Sequence, residues 1–157
     1  MNGRVLGVSG ELDMKRDRRV MAIRDSLQNH GLSYWTSNNP AQTFVDYGML
    51  VNGRDIDACC VIEVEYGIDN IVKLNLTCRG MLSGRVTPRI LEWMNDVTLN
   101  TWFVTCGARQ LQNGADELLF DAAITLTDSQ LAEGVYQIMS ALVMDVERQL
   151  STLPGLV

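Results

Sequence analysis

The chain of 157 residues offers few side chains that could do chemistry, and the first of these is His30, its only histidine. Nucleophilic catalysis by a serine or cysteine needs a histidine close to the nucleophile. His30 stands directly before Gly31 at the expected end of a helix, where an imidazole interacts favourably with the helix dipole without any catalytic duty. We therefore predict an exposed helix-terminal residue rather than a catalytic base.

Glu63 and Glu65 are the best candidates for a pair of catalytic carboxylates. They alternate along one predicted strand, so both side chains point to the same face of the sheet, about 7 Å apart. Acid–base catalysis by two carboxylates needs a pocket that separates their pKa values, and an open sheet face is not expected to supply one. We predict that the pair serves solubility or pairs with Lys73 across a hairpin.

The chain has four cysteines, namely Cys59, Cys60, Cys78 and Cys106. None forms the C-x-x-C pair that is typical of zinc ribbons or thioredoxin-like sites. With one histidine in the chain, a metal site is not expected. We predict four reduced thiols, no disulfide, no metal and no cofactor.

Three arginines surround a glycine-containing segment before a predicted helix: Arg79, Arg85 and Arg89. The segment has neither a Walker lysine nor the G-x-G-x-x-G pattern of phosphate-binding loops. Two interpretations remain open. The segment is a solvated turn, or the three guanidinium groups bind an anion at the helix N-terminus.

The aromatic residues allow two interpretations as well. Trp93 and Trp102 flank the central helix, where Met94 widens an apolar surface. The first interpretation is core packing. The second is that Trp93, Met94 and Trp102 lie at or near a dimer or partner surface, because tryptophan and methionine are enriched in interface cores.

Hydrophobic periodicity and turn residues predict the elements that position these side chains. Asn52-Gly53 is the strongest hairpin signal, and Gly31 is placed to cap the first helix. The predicted order is a helix at 13–30, strands at 44–51, 56–66 and 71–79, a helix at 88–99, strands at 102–106 and 117–125, and a helix at 127–150; the short segment 32–36 is compatible with a strand but is not counted in the sheet.

This order predicts an α+β fold in which one antiparallel sheet of five strands is covered by helices on one face. No linker or internal repeat divides the chain. We predict a loose leader at 1–12, one domain at 13–151 and a tail at 152–157.

Net charge excludes some partner classes. The formal charge is −6 and the isoelectric point is near 4.7. A negative surface repels nucleic acid and anionic membranes, so neither is an expected partner. Acidity suits either solubility or binding to basic segments of other proteins.

The N-terminal sequence has no apolar run typical of a secretory signal, which predicts a cytoplasmic protein.

Two groups of residues carry a family resemblance. Arg89–Asp96 followed by Trp102-Phe103-Val104 resembles the central helix and following strand of the YbjN family, and so does Leu118–Ala122 leading into Leu126–Leu131. The resemblance covers roughly residues 14–150. It implies a fold shared with type III secretion chaperones, which are small, acidic, dimeric proteins that hold partner polypeptides. The family is described as regulators of sensory transduction, and it offers no catalytic residues to carry over.

Our leading hypothesis is therefore a non-enzymatic protein-binding module, chaperone-like or a regulatory adaptor, that acts as a homodimer. The alternative is a small-ligand or anion sensor that uses Arg79, Arg85 and Arg89. An enzyme with a site assembled from scattered residues is the third hypothesis.

Overall fold

A computed structural model describes residues 7–65, 71–82, 86–100, 104–110, 112 and 116–155. Its elements follow the order predicted from the sequence, and in the segment 32–36 the structure has an isolated bridge at Trp35 rather than a strand. The elements are α1 (Gly7–Asn29), β1 (Gln42–Val51), β2 (Arg54–Val64), β3 (Ile71–Arg79), α2 (Pro88–Asn100), β4 (Thr105–Gln110), β5 (Asp116–Thr125) and α3 (Leu131–Leu150).

The five strands form one antiparallel sheet in the spatial order β1-β2-β3-β5-β4. The predicted hairpin between β1 and β2 is confirmed. Asn52 and Gly53 both have positive φ, at 50° and 78°, which is the backbone that a tight two-residue hairpin turn requires. This turn fixes the register, because it pairs Val51 with Arg54 and thereby aligns every later pair of the two strands.

The core lies between the sheet and the helices. Alternate residues of the strands are buried with the apolar stripes of α1, α2 and α3, and the largest buried side chains include Ile23, Leu76, Phe120, Met139 and Leu142. The helices α1 and α3 pack against each other across this face, and α2 packs beside β4. No helix in the described part of the chain is long and apolar enough to cross a membrane.

The first helix is longer than the sequence predicts. It begins at Gly7 rather than near residue 13, so half of the predicted leader at 1–12 is helical. Its end is as predicted. Gly31 has a φ of 77°, and Leu32 donates its backbone N–H to the carbonyl of Leu27 at 2.9 Å, which is the bond that closes a Schellman cap.

Two further boundaries differ from the predictions. The strand predicted at 102–106 corresponds to β4, which continues to Gln110, and residues 102 and 103 lie outside the described part of the chain. The helix α3 begins at Leu131, after a turn in which the backbone N–H of Gln130 donates to the carbonyl of Thr127. At the other end of α3, Leu153 is buried, so the beginning of the predicted tail belongs to the core.

Candidate functional site

One face of the sheet is left uncovered by the described helices, because all three helices contribute their buried residues to the opposite face. We call this surface the open face. Its strand residues alternate with the core residues. They are Gln42, Phe44, Asp46, Gly48 and Leu50 of β1, Asp55, Asp57, Cys59, Val61 and Glu63 of β2, Lys73, Asn75, Thr77 and Arg79 of β3, Glu117, Leu119, Asp121 and Ala123 of β5, and Thr105, Gly107 and Arg109 of β4.

The twisted open face is concave. Two adjoining depressions of about 630 Å³ and 650 Å³ share Val61, Glu63 and Asn75 as lining residues. The first extends from Trp35 towards Arg109, and the second extends across β3 and β5. No pocket was expected on this face from the sequence. Both depressions are partly open to solvent, which suits an extended segment of polypeptide better than a small enclosed substrate.

A buried carboxylate fixes the charge pattern at one end of the open face. Glu117 is only 2% exposed and lies between Arg79 of β3 and Arg109 of β4. The Nε atom of Arg79 lies 3.0 Å from Oε1 of Glu117, and the Nε atom of Arg109 lies 3.1 Å from Oε2. These bonds, above all the one from Arg109, hold the pKa of the Glu117 carboxyl below its ordinary value. The ion pairs clamp three strands together.

The arginine cluster predicted from the sequence is placed only in part. Arg79 forms an ion pair with Glu117, and Arg89 is exposed in the first turn of α2. Arg85 lies outside the described residues. The second guanidinium at Glu117 belongs to Arg109, which was not among the residues predicted for the site. The sequence predicts that this strand ends at residue 106, which places Arg109 in a loop. The pairing of Arg109 with Glu117 across β4 and β5 therefore did not follow from the sequence.

The other end of the open face carries an aromatic platform. Trp35 forms an isolated antiparallel bridge with Phe44, and the two rings stack at 4.1 Å with an angle of 14° between their planes. The indole N–H of Trp35 donates to Oδ2 of Asp46 at 3.1 Å. Trp35 is nevertheless 47% exposed, because only one of its ring faces is covered by Phe44. Exposed aromatic rings held in a fixed orientation are frequent anchors for partners.

Trp93 does not lie on the partner surface that the second interpretation predicts. This residue is 7% exposed, and its indole packs edge-on against Phe120 and donates to the hydroxyl of Thr152 at 2.9 Å. Trp93 is therefore a core residue, as the first interpretation had it. Met94 is half-buried on the same helix, and Trp102 lies outside the described residues. A partner surface near Met94 stays a prediction.

The side chains considered for catalysis have structural partners instead. His30 stacks on Tyr136 at 3.6 Å, and its Nε2 atom lies 2.9 Å from Glu133, so it joins the end of α1 to α3. Glu65 pairs with Lys73, as the sequence predicts, and this carboxylate raises the pKa of Lys73. Within the described ranges, no three histidine, cysteine or acidic side chains are grouped as a metal site would need.

The cysteines are free thiols whose surroundings suppress reactivity. Burial, followed by a hydrogen bond to Asp46, raises the pKa of Cys59 to about 11. Burial raises the pKa of Cys78 and of Cys106 to about 12, and it raises the pKa of the fully buried Cys60 as well. Since the thiolate is the nucleophilic form, these four groups are poor nucleophiles at neutral pH.

No protein-family model and no curated protein matches this sequence. Among solved structures, the chain is similar to YbjN from E. coli, described as a proposed transcription regulator, at 12% identity and a TM-score of 0.56, over 84% of this chain and 88% of that one. An uncharacterised protein from Methanothermobacter thermautotrophicus aligns at 14% identity and a TM-score of 0.41, over 86% of this chain and 99% of that one. With its helices and its antiparallel sheet in the predicted order, the chain has a YbjN-like fold.

Proposed function

We propose that this protein is a non-enzymatic regulatory adaptor that binds a segment of another protein on the open face of its sheet and acts as a homodimer. The observation that supports the first part is the shape of the open face, a continuous concave surface across five strands that begins at the exposed ring of Trp35. Half-buried side chains such as Val61 and Leu119 give its floor apolar area. A sheet face of this kind offers a partner both apolar contacts and charged groups.

The similarity to YbjN supports a regulatory role by analogy of fold. That protein is described as a proposed transcription regulator. Fold alone does not transfer function, so the proposal depends on the surface of this chain.

The outer surface of α2 supports self-association. Leu91 and Leu99 form an exposed apolar stripe about two turns long, and Leu99 is 73% exposed. Burying such a stripe against its own copy around a two-fold axis would remove apolar area from water. Sedimentation velocity of the chain should show a dimer that the double variant Leu91→Glu/Leu99→Glu converts to monomer. A monomer at every concentration would contradict the homodimer.

Comparative affinity capture tests partner binding. Val61 lines both depressions, so Val61→Arg places a long charged side chain in the middle of the open face. Met144 is exposed on α3, and Met144→Arg is the matched control on the helical side. A true partner is retained by the wild type and by Met144→Arg and is lost with Val61→Arg. Retention by all three proteins would place binding elsewhere.

The two arginines at Glu117 favour a second candidate, a sensor of anionic small molecules. Glu117 neutralises one of the two guanidinium charges, and both arginines are largely exposed, so N–H donors remain for a carboxylate or phosphate. A thermal-shift screen with phosphorylated metabolites should raise Tm if a ligand binds the native state. A shift that Arg109→Ala abolishes would support this candidate, and no shift across the panel would count against it.

A further inference from the structure

We propose that the segment bound by the open face is basic and extended, with arginine or lysine side chains at alternate positions that contact Trp35 and the carboxylates of β1 and β2. This inference rests on the proposed function, because it specifies the chemistry of the partner segment. The charges of the open face are its first support. The strand positions of this surface hold six carboxylates and three cations, and all three cations, Lys73, Arg79 and Arg109, stand on β3 and β4.

The half of the open face formed by β1 and β2 is therefore acidic. It presents the carboxylates of Asp46, Asp55 and Asp57, together with Glu63, which accepts from Gln42 and lies opposite Lys73 of β3, and no lysine or arginine occupies an open-face position of these two strands. Asp55 and Asp57 are exposed. A concave surface with carboxylates of one sign concentrates the field and attracts cations.

The aromatic platform is the second support and is independent of the charges. Trp35 is held by its stack on Phe44 and by its hydrogen bond to Asp46, so the uncovered face of the indole has a fixed orientation. A guanidinium or ammonium group over an indole is attracted by the ring quadrupole, and tryptophan is the best of the aromatic residues for this contact. The carboxylate of Asp46 adjoins the ring, so a cation there would meet both.

The spacing of the carboxylates indicates the conformation of the segment. Asp55 and Asp57 are two residues apart on β2, which separates their Cα atoms by about 7 Å. Alternate side chains of an extended peptide point to the same side with the same repeat. A nucleic acid would bring phosphates against the carboxylates.

Fluorescence polarisation with labelled peptides tests the proposal. The probe is a fluorescein-labelled 12-residue peptide with arginine at alternate positions, compared with peptides that carry glutamate or serine at those positions. We expect the arginine peptide to bind and the other two to bind at least tenfold more weakly. We also expect the affinity to fall when salt is raised from 50 mM to 300 mM, because exposed charge pairs are screened.

Matched variants separate a site from general attraction to an acidic protein. Asp55→Asn/Asp57→Asn removes two carboxylates from the open face, and Asp17→Asn/Asp25→Asn removes two exposed carboxylates from α1 on the helical side. We expect the first pair to weaken binding about tenfold, from roughly threefold to fivefold per exposed charge pair, and the second pair to leave it unchanged. Trp35→Ala should weaken binding about tenfold through the loss of the aromatic contact.

Each contrary result is informative. If the serine or glutamate peptide binds as tightly as the arginine peptide, and Trp35→Ala still weakens that binding, the segment need not be basic. The open face would then remain a protein-binding site. If both pairs of variants weaken binding of the arginine peptide equally, the attraction comes from the net charge of the protein, and the proposed site is overturned. If none of the three peptides binds, the basic segment is contradicted, and the capture experiment with Val61→Arg decides separately whether a partner lies on the open face.

Discussion

At the scale of single residues, Glu117 shows how one buried charge organises an exposed surface. Its carboxylate is removed from solvent, yet both of its partners, Arg79 and Arg109, extend into solvent. Solvent shields the outer guanidinium atoms, so the arrangement is a clamp between strands rather than an isolated ion pair in the core. It fixes two cations of the open face, Arg79 on β3 and Arg109 on β4.

Replacing Glu117 by glutamine should lower the free energy of unfolding by about 1–2 kcal/mol, because the charge-assisted hydrogen bonds become neutral ones. Urea denaturation at pH 7 measures the loss. Asp121→Asn on the same strand is the control, since Asp121 is exposed and its partner Asn75 is neutral. We expect that control to change stability by less than about 0.5 kcal/mol.

The contribution of Glu117 should depend on pH in a definite direction. Its pKa in the folded protein is held below the ordinary 4.5 of glutamate, so the folded state favours the ionised form. This contribution is fully present above the pKa of the unfolded chain and is lost as pH falls through the folded pKa. The stability difference between wild type and Glu117→Gln should therefore shrink below about pH 4.5. An equal difference at pH 7 and pH 3 would contradict the ion-pair account.

The thiols should resist alkylation in the folded protein. With a pKa of about 11, Cys59 is roughly one part in ten thousand thiolate at pH 7, and the values for Cys78 and Cys106 are higher still. Iodoacetamide at pH 7 should label none of them appreciably until the chain is unfolded. When the pH is raised towards 10, Cys59 should react first, which peptide mass spectrometry detects and Cys59→Ser abolishes. Rapid labelling at pH 7 would show that these pKa values are not raised.

At the scale of elements, α2 combines a buried and an exposed side. Trp93 and Val97 enter the core, while Leu91 and Leu99 remain on the surface. Trp93→Ala should cost about 3–5 kcal/mol, as expected for a large aromatic residue removed from a core. Leu91→Ala on the outer side should cost less than about 0.5 kcal/mol in the monomer. Similar costs for the two variants in urea denaturation would contradict the core position of Trp93.

The cap of α1 offers a second test at this scale. Gly31 adopts a φ of 77°, a conformation that costs a residue with a Cβ about 1–2 kcal/mol. Gly31→Ala should lower Tm by about 2–4 °C for each kcal/mol lost. Gly48 in β1 has no positive φ, and no heavy atom lies within 4 Å of the position that a Cβ would occupy there. Gly48→Ala is therefore the control and should leave Tm nearly unchanged.

The sequence predicted most elements because their signals are local. Alternation in β2 and β3 and the turn at Asn52-Gly53 predicted these strands closely. The start of α1 was missed because Gly7 and Gly10 are unusual in a helix and suggested a loose segment. Burial of Trp93 depends on its contact with Phe120, which is distant in sequence. The local pattern alone therefore did not decide whether Trp93 lies in the core or on the surface.

At the scale of the whole molecule, the fold was predictable and the open face was not. The element order fixes a sheet with helices on one side, and the similarity to YbjN at 12% identity confirms that fold. The open face depends on which side chains from five strands become neighbours. The pairing of Arg109 with Glu117 and the stack of Trp35 on Phe44 both follow from register and backbone path, which the sequence alone did not predict.

The central claim is that a partner protein lies on the open face, and site-specific photo-crosslinking tests it most directly. A benzoylphenylalanine introduced at Val61 samples the open face, and one at Met144 samples the helical side. Irradiation of native lysates should yield a discrete crosslinked polypeptide from position 61 and none from position 144. Crosslinks to the same polypeptide from position 144 alone, or from neither position, would contradict the account.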